Sequence, residues 1–462
     1  MTLRRHASVI AAVAFAVAAA QLAGCSTGNK LNPFRGGGHR AAPKTEAGQR
    51  ISLLELNDQL KVSDSLKGQD FFLPPPQPQP DWPLAGGTPE QSVEHVAAAP
   101  EFQIAWRRNF GAKSVAHADV MSPPIIADGK VFVMDGNAGV SAHDANTGAT
   151  VWRIDLRPKT KHDRNREGFG GGLAYSGGKV YVASGYRLVA ELDADTGHVD
   201  WLTKTDAPVH DAPTVANGRV YVVDVDDELL SYSAATGVAD WTYQALTEPA
   251  RMLVASSPAV SNDTLVASFA SGELVALRSD NGTELWNVPL SHTTRTNALS
   301  EIRDVAGRPV IYKGDVFAVS HADVMAATDL RTGNVRWTIP LSGQTSPWAA
   351  GDVVFAVDTQ GEVICAARDS GQLYWMTDLN APPPAKKGKK QAKRVHTVWS
   401  GPILASNRLI IASDRGDVIA LDPKTGTVER RLKTGDDTLM SPIAAGGLVY
   451  LATQKADLIA IR

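Results

Sequence analysis

Short apolar runs alternate with polar turns throughout residues 101–462, a pattern that is typical of β-strands rather than helices. A run such as Lys130 to Met134 is followed by a turn rich in glycine and aspartate, and then by another strand. Each group of strands contains one turn of the Thr-Gly type, and successive turns lie 38 to 55 residues apart. That spacing is the period of a four-stranded propeller blade. Seven such turns occur: Thr147-Gly148, Thr196-Gly197, Thr236-Gly237, Asn281-Gly282, Thr332-Gly333, Ser370-Gly371 and Thr425-Gly426.

A tryptophan follows six of these turns, four residues after the glycine, and we expect its side chain to fill the gap between neighbouring blades. After the seventh turn the equivalent residue is Arg430. Four turns have an aspartate three residues before the threonine, where it can accept hydrogen bonds from the turn amides. The tryptophans are Trp152, Trp201, Trp241, Trp286, Trp337 and Trp375, and the aspartates are Asp144, Asp193, Asp329 and Asp422.

Counting the repeats gives seven full blades and one incomplete blade, residues 441–462, which ends where its own turn would begin. The missing strand is supplied by residues 102–106, which precede the first blade and have no turn of their own. Joining the two ends leaves no open sheet edge. The sequence therefore predicts an all-β fold, an eight-bladed β-propeller of four-stranded antiparallel blades spanning residues 101–462, whose last blade is closed by the N-terminal strand.

The N-terminus has the features of a bacterial secretory signal. Arg4 and Arg5 precede an apolar run that is too short to span a bilayer comfortably. Residues 22–25 then read Leu-Ala-Gly-Cys, which resembles a lipobox and implies a signal peptide over residues 1–24 and acylation of Cys25. A plain signal peptide with an incidental cysteine is the alternative. More than one acyl chain would make membrane anchoring stable.

Residues 25–100 are rich in glycine, glutamine and proline and have little periodic apolar pattern. Such a composition buries too little surface to offset chain entropy, so we expect a lipidated, largely disordered tether ahead of the propeller. The chain has 462 residues and a formal net charge of −3. Because this balance provides no basic field, no nucleic-acid partner is predicted.

Length variation is concentrated in three connectors between blades, residues 158–172, 291–308 and 380–399. These connectors emerge on the face opposite the Thr-Gly turns, and insertions confined to one face usually mark a binding surface. The connector over residues 381–394 contains six Lys or Arg residues. We interpret it as a solvated loop, with contact to anionic lipid or an acidic partner as the alternative.

No catalytic motif emerges, and neither a cofactor nor a metal site is predicted. The acidic stretch 224–228 coincides with a hairpin turn and lacks the central glycine of a calcium loop, so a solvated turn is favoured. The glycine-rich residues 168–172 lack the full dinucleotide-binding spacing. Histidines are scattered without metal-ligand spacing, and Cys365 lies in an apolar strand that favours simple burial.

The run from Ala142 to Trp152, Ala-x-Asp-x-x-Thr-Gly-x-x-x-Trp, resembles the tryptophan-docking repeat of quinoprotein propellers. Two functional classes share that repeat: dehydrogenases that use pyrroloquinoline quinone, and BamB-type lipoproteins of the outer-membrane β-barrel assembly (BAM) machinery. The dehydrogenases often carry adjacent cysteines beside the cofactor, whereas here only Cys365 remains apart from Cys25. The lipobox, the tether and the compact propeller look like the BamB type.

This resemblance implies a non-catalytic scaffold, anchored by lipid at the outer membrane with its propeller in the periplasm. Implied partners are a POTRA domain of BamA, other BAM subunits and nascent outer-membrane proteins. The residues that match the family's contact connectors are Arg251, Met252, Leu253, Arg303 and Asp304. Ordinary packing of Met252 and Leu253 is the bland alternative at this site. For the whole protein, a periplasmic quinone-dependent dehydrogenase and a propeller that binds another envelope component are the alternative functions.

Overall fold

The computed structural model describes residues 60–113, 120, 122–158, 170–246, 256–290, 305, 307–382 and 393–462. Within these ranges the chain forms strands and turns, and the strands assemble into eight four-stranded antiparallel sheets. In each blade the chain runs from the innermost strand to the outermost. No helix in the described ranges is long and apolar enough to cross a membrane.

Blades 1 to 4 each use four consecutive strands. Blade 1 comprises β2 (Ile125–Ala127), β3 (Lys130–Met134), β4 (Gly139–Asp144) and β5 (Thr150–Asp155). Blade 2 comprises β6 (Gly171–Ser176), β7 (Lys179–Ser184), β8 (Leu188–Asp193) and β9 (Val199–Lys204). Blade 3 comprises β10 (Thr214–Ala216), β11 (Arg219–Val223), β12 (Glu228–Ser233) and β13 (Ala239–Gln244). Blade 4 comprises β14 (Ala259–Ser261), β15 (Thr264–Ser268), β16 (Glu273–Arg278) and β17 (Glu284–Pro289).

Blades 5 to 7 follow the same order. Blade 5 comprises β18 (Val310–Tyr312), β19 (Asp315–Ser320), β20 (Val324–Asp329) and β21 (Val335–Ile339). Blade 6 comprises β22 (Trp348–Ala350), β23 (Val353–Val357), β24 (Glu362–Ala367) and β25 (Leu373–Asp378). Blade 7 comprises β26 (Trp399–Ala405), β27 (Arg408–Ser413), β28 (Asp417–Leu421) and β29 (Val428–Lys433).

Blade 8 is built from both ends of the propeller. It combines β30 (Ile443–Ala445), β31 (Leu448–Ala452) and β32 (Asp457–Ile461) with β1 (Ile104–Asn109), which pairs antiparallel with β32. Beyond that pairing, Gln103 and Arg462 exchange two backbone hydrogen bonds of 3.0 and 2.8 Å. The predicted fold class, its eight blades and the seam between the termini are all confirmed.

Tryptophans join neighbouring blades as the repeat predicts. The indole nitrogen of Trp152 donates to the carbonyl oxygen of Ala194 in blade 2, at 3.0 Å. The same ring covers Gly197, where an added Cβ would lie 2.7 Å from it. Equivalent indole-to-carbonyl bonds are made by Trp201, Trp286, Trp337 and Trp375.

Blade 8 takes part in this scheme through Trp106 of β1, whose ring covers Gly148 in blade 1. The arginine at position 430 is explained by the same geometry. Blade 7 faces blade 8, where the third and fourth strands are the two ends of the chain rather than a Thr-Gly hairpin. A tryptophan at position 430 would therefore have no glycine turn to cover.

The aspartates of the Thr-Gly turns also act as predicted. Asp144 accepts hydrogen bonds from the backbone nitrogen and the hydroxyl of Thr147, at 2.8 and 2.7 Å. Those bonds hold the pKa of the Asp144 carboxyl below its usual range. Asp193, Asp329 and Asp422 accept the corresponding turn amides.

The prediction of a disordered tether is wrong for residues 60–100, whereas residues 26–59 lie outside the described ranges. Residues 60–102, here called the N-terminal strap, run across the face that carries the Thr-Gly turns. Val62 forms a parallel bridge with Leu373 on the outer strand of blade 6. Phe71, Trp82, Val96 and Phe102 are buried among the most shielded apolar residues of the propeller. Few apolar residues are needed for such docking, because the propeller supplies the other half of the apolar surface.

The strap closes the centre of the ring by bonding to every blade. Its main-chain or side-chain partners, from blade 1 to blade 8, are Trp82 with Ile126, Pro83 with Tyr175, Gln91 with Thr214, Pro89 with Val260, Glu90 with Ile311, Glu94 with Trp348, Val96 with Leu404 and Ala99 with Gly447. The Trp82 ring also stacks on Trp348, with centroids 6.2 Å apart. We call the strap side of the ring the turn face and the opposite side the connector face.

Candidate functional site: the connector face

The residues predicted to contact a partner lie outside the described ranges. This holds for Arg251, Met252 and Leu253, for Arg303 and Asp304, and for Cys25. The strands on either side nevertheless fix where the two connectors start and end. Residues 245–258 join blade 3 to blade 4, and residues 290–309 join blade 4 to blade 5. The two connectors are therefore neighbours on the connector face, although the structure does not test the individual contact residues.

The bases of these two connectors are joined by buried hydrogen bonds. The Ser256 hydroxyl donates to the carbonyl oxygen of Gly307, at 3.3 Å, and accepts a bond of 2.6 Å from the hydroxyl of Ser268. Val305 is 3% exposed, and its backbone nitrogen donates to Phe269. These contacts give both connectors a common support on blade 4.

A cavity of about 200 Å³ lies where the inner strands converge. Ala85 of the strap lines it, together with residues from the starts of the inner strands and from the turn at Asp358. Asp211 of blade 3 and Arg308 of blade 5 are its two most unusual lining residues, because they bring opposite charges into a largely neutral wall.

Asp211 is 5% exposed and accepts a hydrogen bond of 2.7 Å from the hydroxyl of Ser257. Burial raises the pKa of its carboxyl to about 7, although the Ser257 bond and the positive charge of Arg308 act in the opposite direction. Burial likewise lowers the pKa of the Arg308 guanidinium, which Asp211 partly offsets. The cavity therefore holds an acid that is close to half protonated at neutral pH.

Sequence reasoning missed Asp211 and Arg308. No local motif marks either residue, and 97 positions separate them, so only the closure of the ring brings them to one cavity. A signal was nevertheless present, since each charge lies beside the proline that precedes an inner strand, where other repeats have small neutral residues.

The acidic stretch 224–228 is a hairpin turn between β11 and β12, as predicted, but it is not solvated. Asp224 is 6% exposed and Asp227 is 3% exposed. Asp224 accepts hydrogen bonds from the backbone nitrogens of Asp226 and Glu228, at 2.8 and 3.0 Å. Burial raises the pKa of the Asp224 carboxyl to about 6. The turn uses this aspartate to satisfy its own backbone.

Other candidate residues are less informative. Within the described ranges no group of three or more His, Cys, Asp and Glu residues is arranged to hold a metal ion. Cys365 is fully buried, and burial raises the pKa of its thiol. Of the basic connector, Lys393 and Arg394 are described, and Arg394 pairs with Asp378 at 3.1 Å.

Comparison with known proteins identifies the repeat. A sequence family described as outer membrane protein assembly factor BamB matches residues 103–159, 136–377 and 378–462, which together span the propeller. The assembly factor BamB of Burkholderia pseudomallei is 27% identical over 345 residues, covering 73% of this chain and 83% of the relative.

Solved structures resemble the fold in two functional classes. BamB from Moraxella catarrhalis superposes with a TM-score of 0.65 at 16% identity, covering 78% of this chain and 99% of that one. A europium-containing methanol dehydrogenase gives a TM-score of 0.64 at 14% identity, covering 82% of this chain and 90% of that one. The shared propeller therefore does not separate the two classes, whereas the sequence relatives do.

Proposed function

The chain belongs to the BamB family of outer membrane protein assembly factors, and we propose that it is a scaffold subunit that docks on a POTRA domain of BamA and assists the insertion of nascent barrel proteins. It acts by binding rather than by catalysis. The family match over residues 103–462 is the observation that carries this proposal.

The supported connectors give the scaffold a plausible docking surface. Because Ser256 and Gly307 tie their bases together, the connectors that contain Leu253 and Asp304 share one support on the rim of blade 4. In this proposal Met252 and Leu253 fill an apolar groove of the partner, while Arg251, Arg303 and Asp304 set its orientation through charge-assisted hydrogen bonds.

A pull-down from solubilised envelopes tests this docking. BamA is expected to co-purify with the wild-type chain, and Asp304→Arg should reduce its recovery at least about tenfold, because reversing a charge in an interface costs several kcal/mol. The matched control is Asp280→Arg, the same reversal at an exposed residue on the turn face of blade 4. Failure of the wild-type chain to recover BamA would refute the proposal, and equal losses in both variants would refute the surface.

The family's role in outer membrane protein assembly supports a location at the outer membrane. We infer lipid anchoring there through Cys25, with the propeller on the periplasmic side. Metabolic labelling with palmitate should mark the wild-type chain and leave Cys25→Ser unlabelled, and the variant should leave the membrane fraction. Labelling of Cys25→Ser to the wild-type level would contradict the anchor.

A further inference from the structure

The central cavity departs from the rule that the rest of the ring follows. When the inner strands are aligned by their pairing with the second strands, the residue before the inner-strand proline is Gly, Ala or Ser in six blades: Gly172, Ala212, Ser257, Ser346, Gly401 and Ser441. Blade 1 carries a second proline there, and blade 5 carries Arg308. One position earlier, Asp211 is the only charged residue among the eight blades.

Small residues are what the fold needs at this position, because eight strands converge there. A buried pair of opposite charges is not required, and replacing such pairs by neutral residues is often neutral or even stabilising. The pair therefore needs an explanation other than stability.

Part of its hydrogen-bonding capacity is unused within the described residues. Asp211 Oδ2, Arg308 Nε and the Thr345 hydroxyl make no hydrogen bond there. All three residues line the same cavity. Buried polar atoms are seldom left unpaired, so three in one cavity indicate a site for a polar molecule.

The chemistry of the three groups defines what fits. Arg308 donates and favours a carboxylate, Asp211 can accept from a hydroxyl or an amine, and Thr345 can do either. A volume of about 200 Å³ is below the range of drug-sized pockets, so the molecule is small.

We propose that the central cavity binds the carboxylate of a small acid that carries a hydroxyl or amino group on the next carbon, with the carboxylate on Arg308 and the neighbouring donor on Asp211. A free hydroxy or amino acid and the C-terminus of a polypeptide chain both present this chemistry. The site lies in the centre of the ring and goes beyond docking on an assembly partner.

Calorimetric titration of the purified chain provides the test, with lactate as the free acid and N-acetylated trialanine as the chain end. Saturable binding of either probe is expected. Asp211→Ser combined with Arg308→Ser should weaken it at least about tenfold, because it removes two charged hydrogen-bonding partners. Amidated trialanine should not bind. The control is Arg331→Gln, an exposed arginine on the turn face of blade 5.

The double variant gives the ring the residue type found in other blades, so its melting temperature should not fall. Asp211→Asn preserves the side-chain shape and supplies a second test if the double variant fails to fold. Lactate binding would identify a free acid, and binding of trialanine alone would identify a chain end. Absence of saturable binding by both probes, or equal binding by the variants, would overturn the proposal. Neither result bears on BamA, because no envelope partner is present.

Discussion

The two faces of the ring differ in how closely their repeats agree. On the turn face, Thr-Gly hairpins recur with the same aspartate bonds, and one strap bonds to all eight blades. On the connector face, loop lengths vary, and the cavity contains a charged pair that only blades 3 and 5 provide. Uniform contacts hold the ring together, whereas departures from uniformity are where binding is expected. Substitutions on the turn face should therefore affect stability most, and substitutions on the connector face should affect binding.

The seam between the chain ends should show the largest effect. A chain starting at Phe110 lacks β1, so β32 becomes an open edge and Trp106 no longer covers Gly148. The loss should approach the whole stability of a typical domain, ~5–15 kcal/mol. Calorimetry would show no cooperative transition for this chain.

Two longer chains serve as its controls. A chain starting at residue 60 keeps the strap and β1 and should melt like the full mature protein. A chain starting at Phe102 loses the strap and keeps β1, so it should melt cooperatively at a lower temperature. Cooperative melting of the shortest chain at an unchanged temperature would contradict the closed ring.

The strap should contribute mainly through its buried tryptophan. Trp82 is 1% exposed and stacks on Trp348, so Trp82→Ala should cost about 3–5 kcal/mol in the free energy of unfolding. Phe72 lies on the same strap but is 57% exposed, and Phe72→Ala should change stability by less than about 0.5 kcal/mol. Urea unfolding of both variants makes the comparison. Equal and small effects would show that the strap is dispensable on the turn face.

A matched pair of glycines measures one tryptophan contact. Gly197 and Gly218 have φ of +72° and +73°, but an added Cβ meets the Trp152 ring at 2.7 Å in the first case and nothing within 4 Å in the second. Gly218→Ala should cost about 1–2 kcal/mol for its positive φ alone. Gly197→Ala should cost about 1–3 kcal/mol more, because the ring must move. Equal losses in urea unfolding would mean that Trp152 adapts freely.

The sequence was sufficient for the fold because the fold repeats. Seven copies of one turn established blade number, strand order and the role of residues such as Trp152, and the incomplete last copy located the seam. The strap escaped prediction because its composition resembles that of a disordered segment. Its apolar residues, Trp82 among them, become buried only against a surface made by eight separate blades.

The candidate sites were predictable to different degrees for the same reason. The connectors could be identified from their lengths, although their contact residues lie outside the described ranges. Asp211 and Arg308 could not be paired from the sequence, because their proximity depends on the arrangement of three blades. An alignment of the internal repeats would have exposed both as charges at positions that are otherwise small and neutral.

The smallest predicted effect concerns that pair and separates the connector face from the turn face by pH. The folded-state pKa of Asp211, about 7, lies above the ordinary value of 3.8, so folding favours the protonated carboxyl. Its stabilising contribution is therefore complete below about pH 4 and is lost as the pH rises to about 7. Asp211→Asn cannot titrate. Between pH 5 and pH 8, wild type should lose about 2–3 kcal/mol of stability relative to this variant, as measured by urea unfolding.

Asp144 on the turn face should behave in the opposite way. Hydrogen bonds from Thr147 lower its pKa, so its contribution is present above the ordinary value and is lost only as the pH falls below it. Asp144→Asn should therefore follow wild type between pH 5 and pH 8. If Asp211→Asn also followed wild type over that interval, the buried acid would titrate like an exposed one, and the cavity would lose the feature that distinguishes it from the rest of the ring.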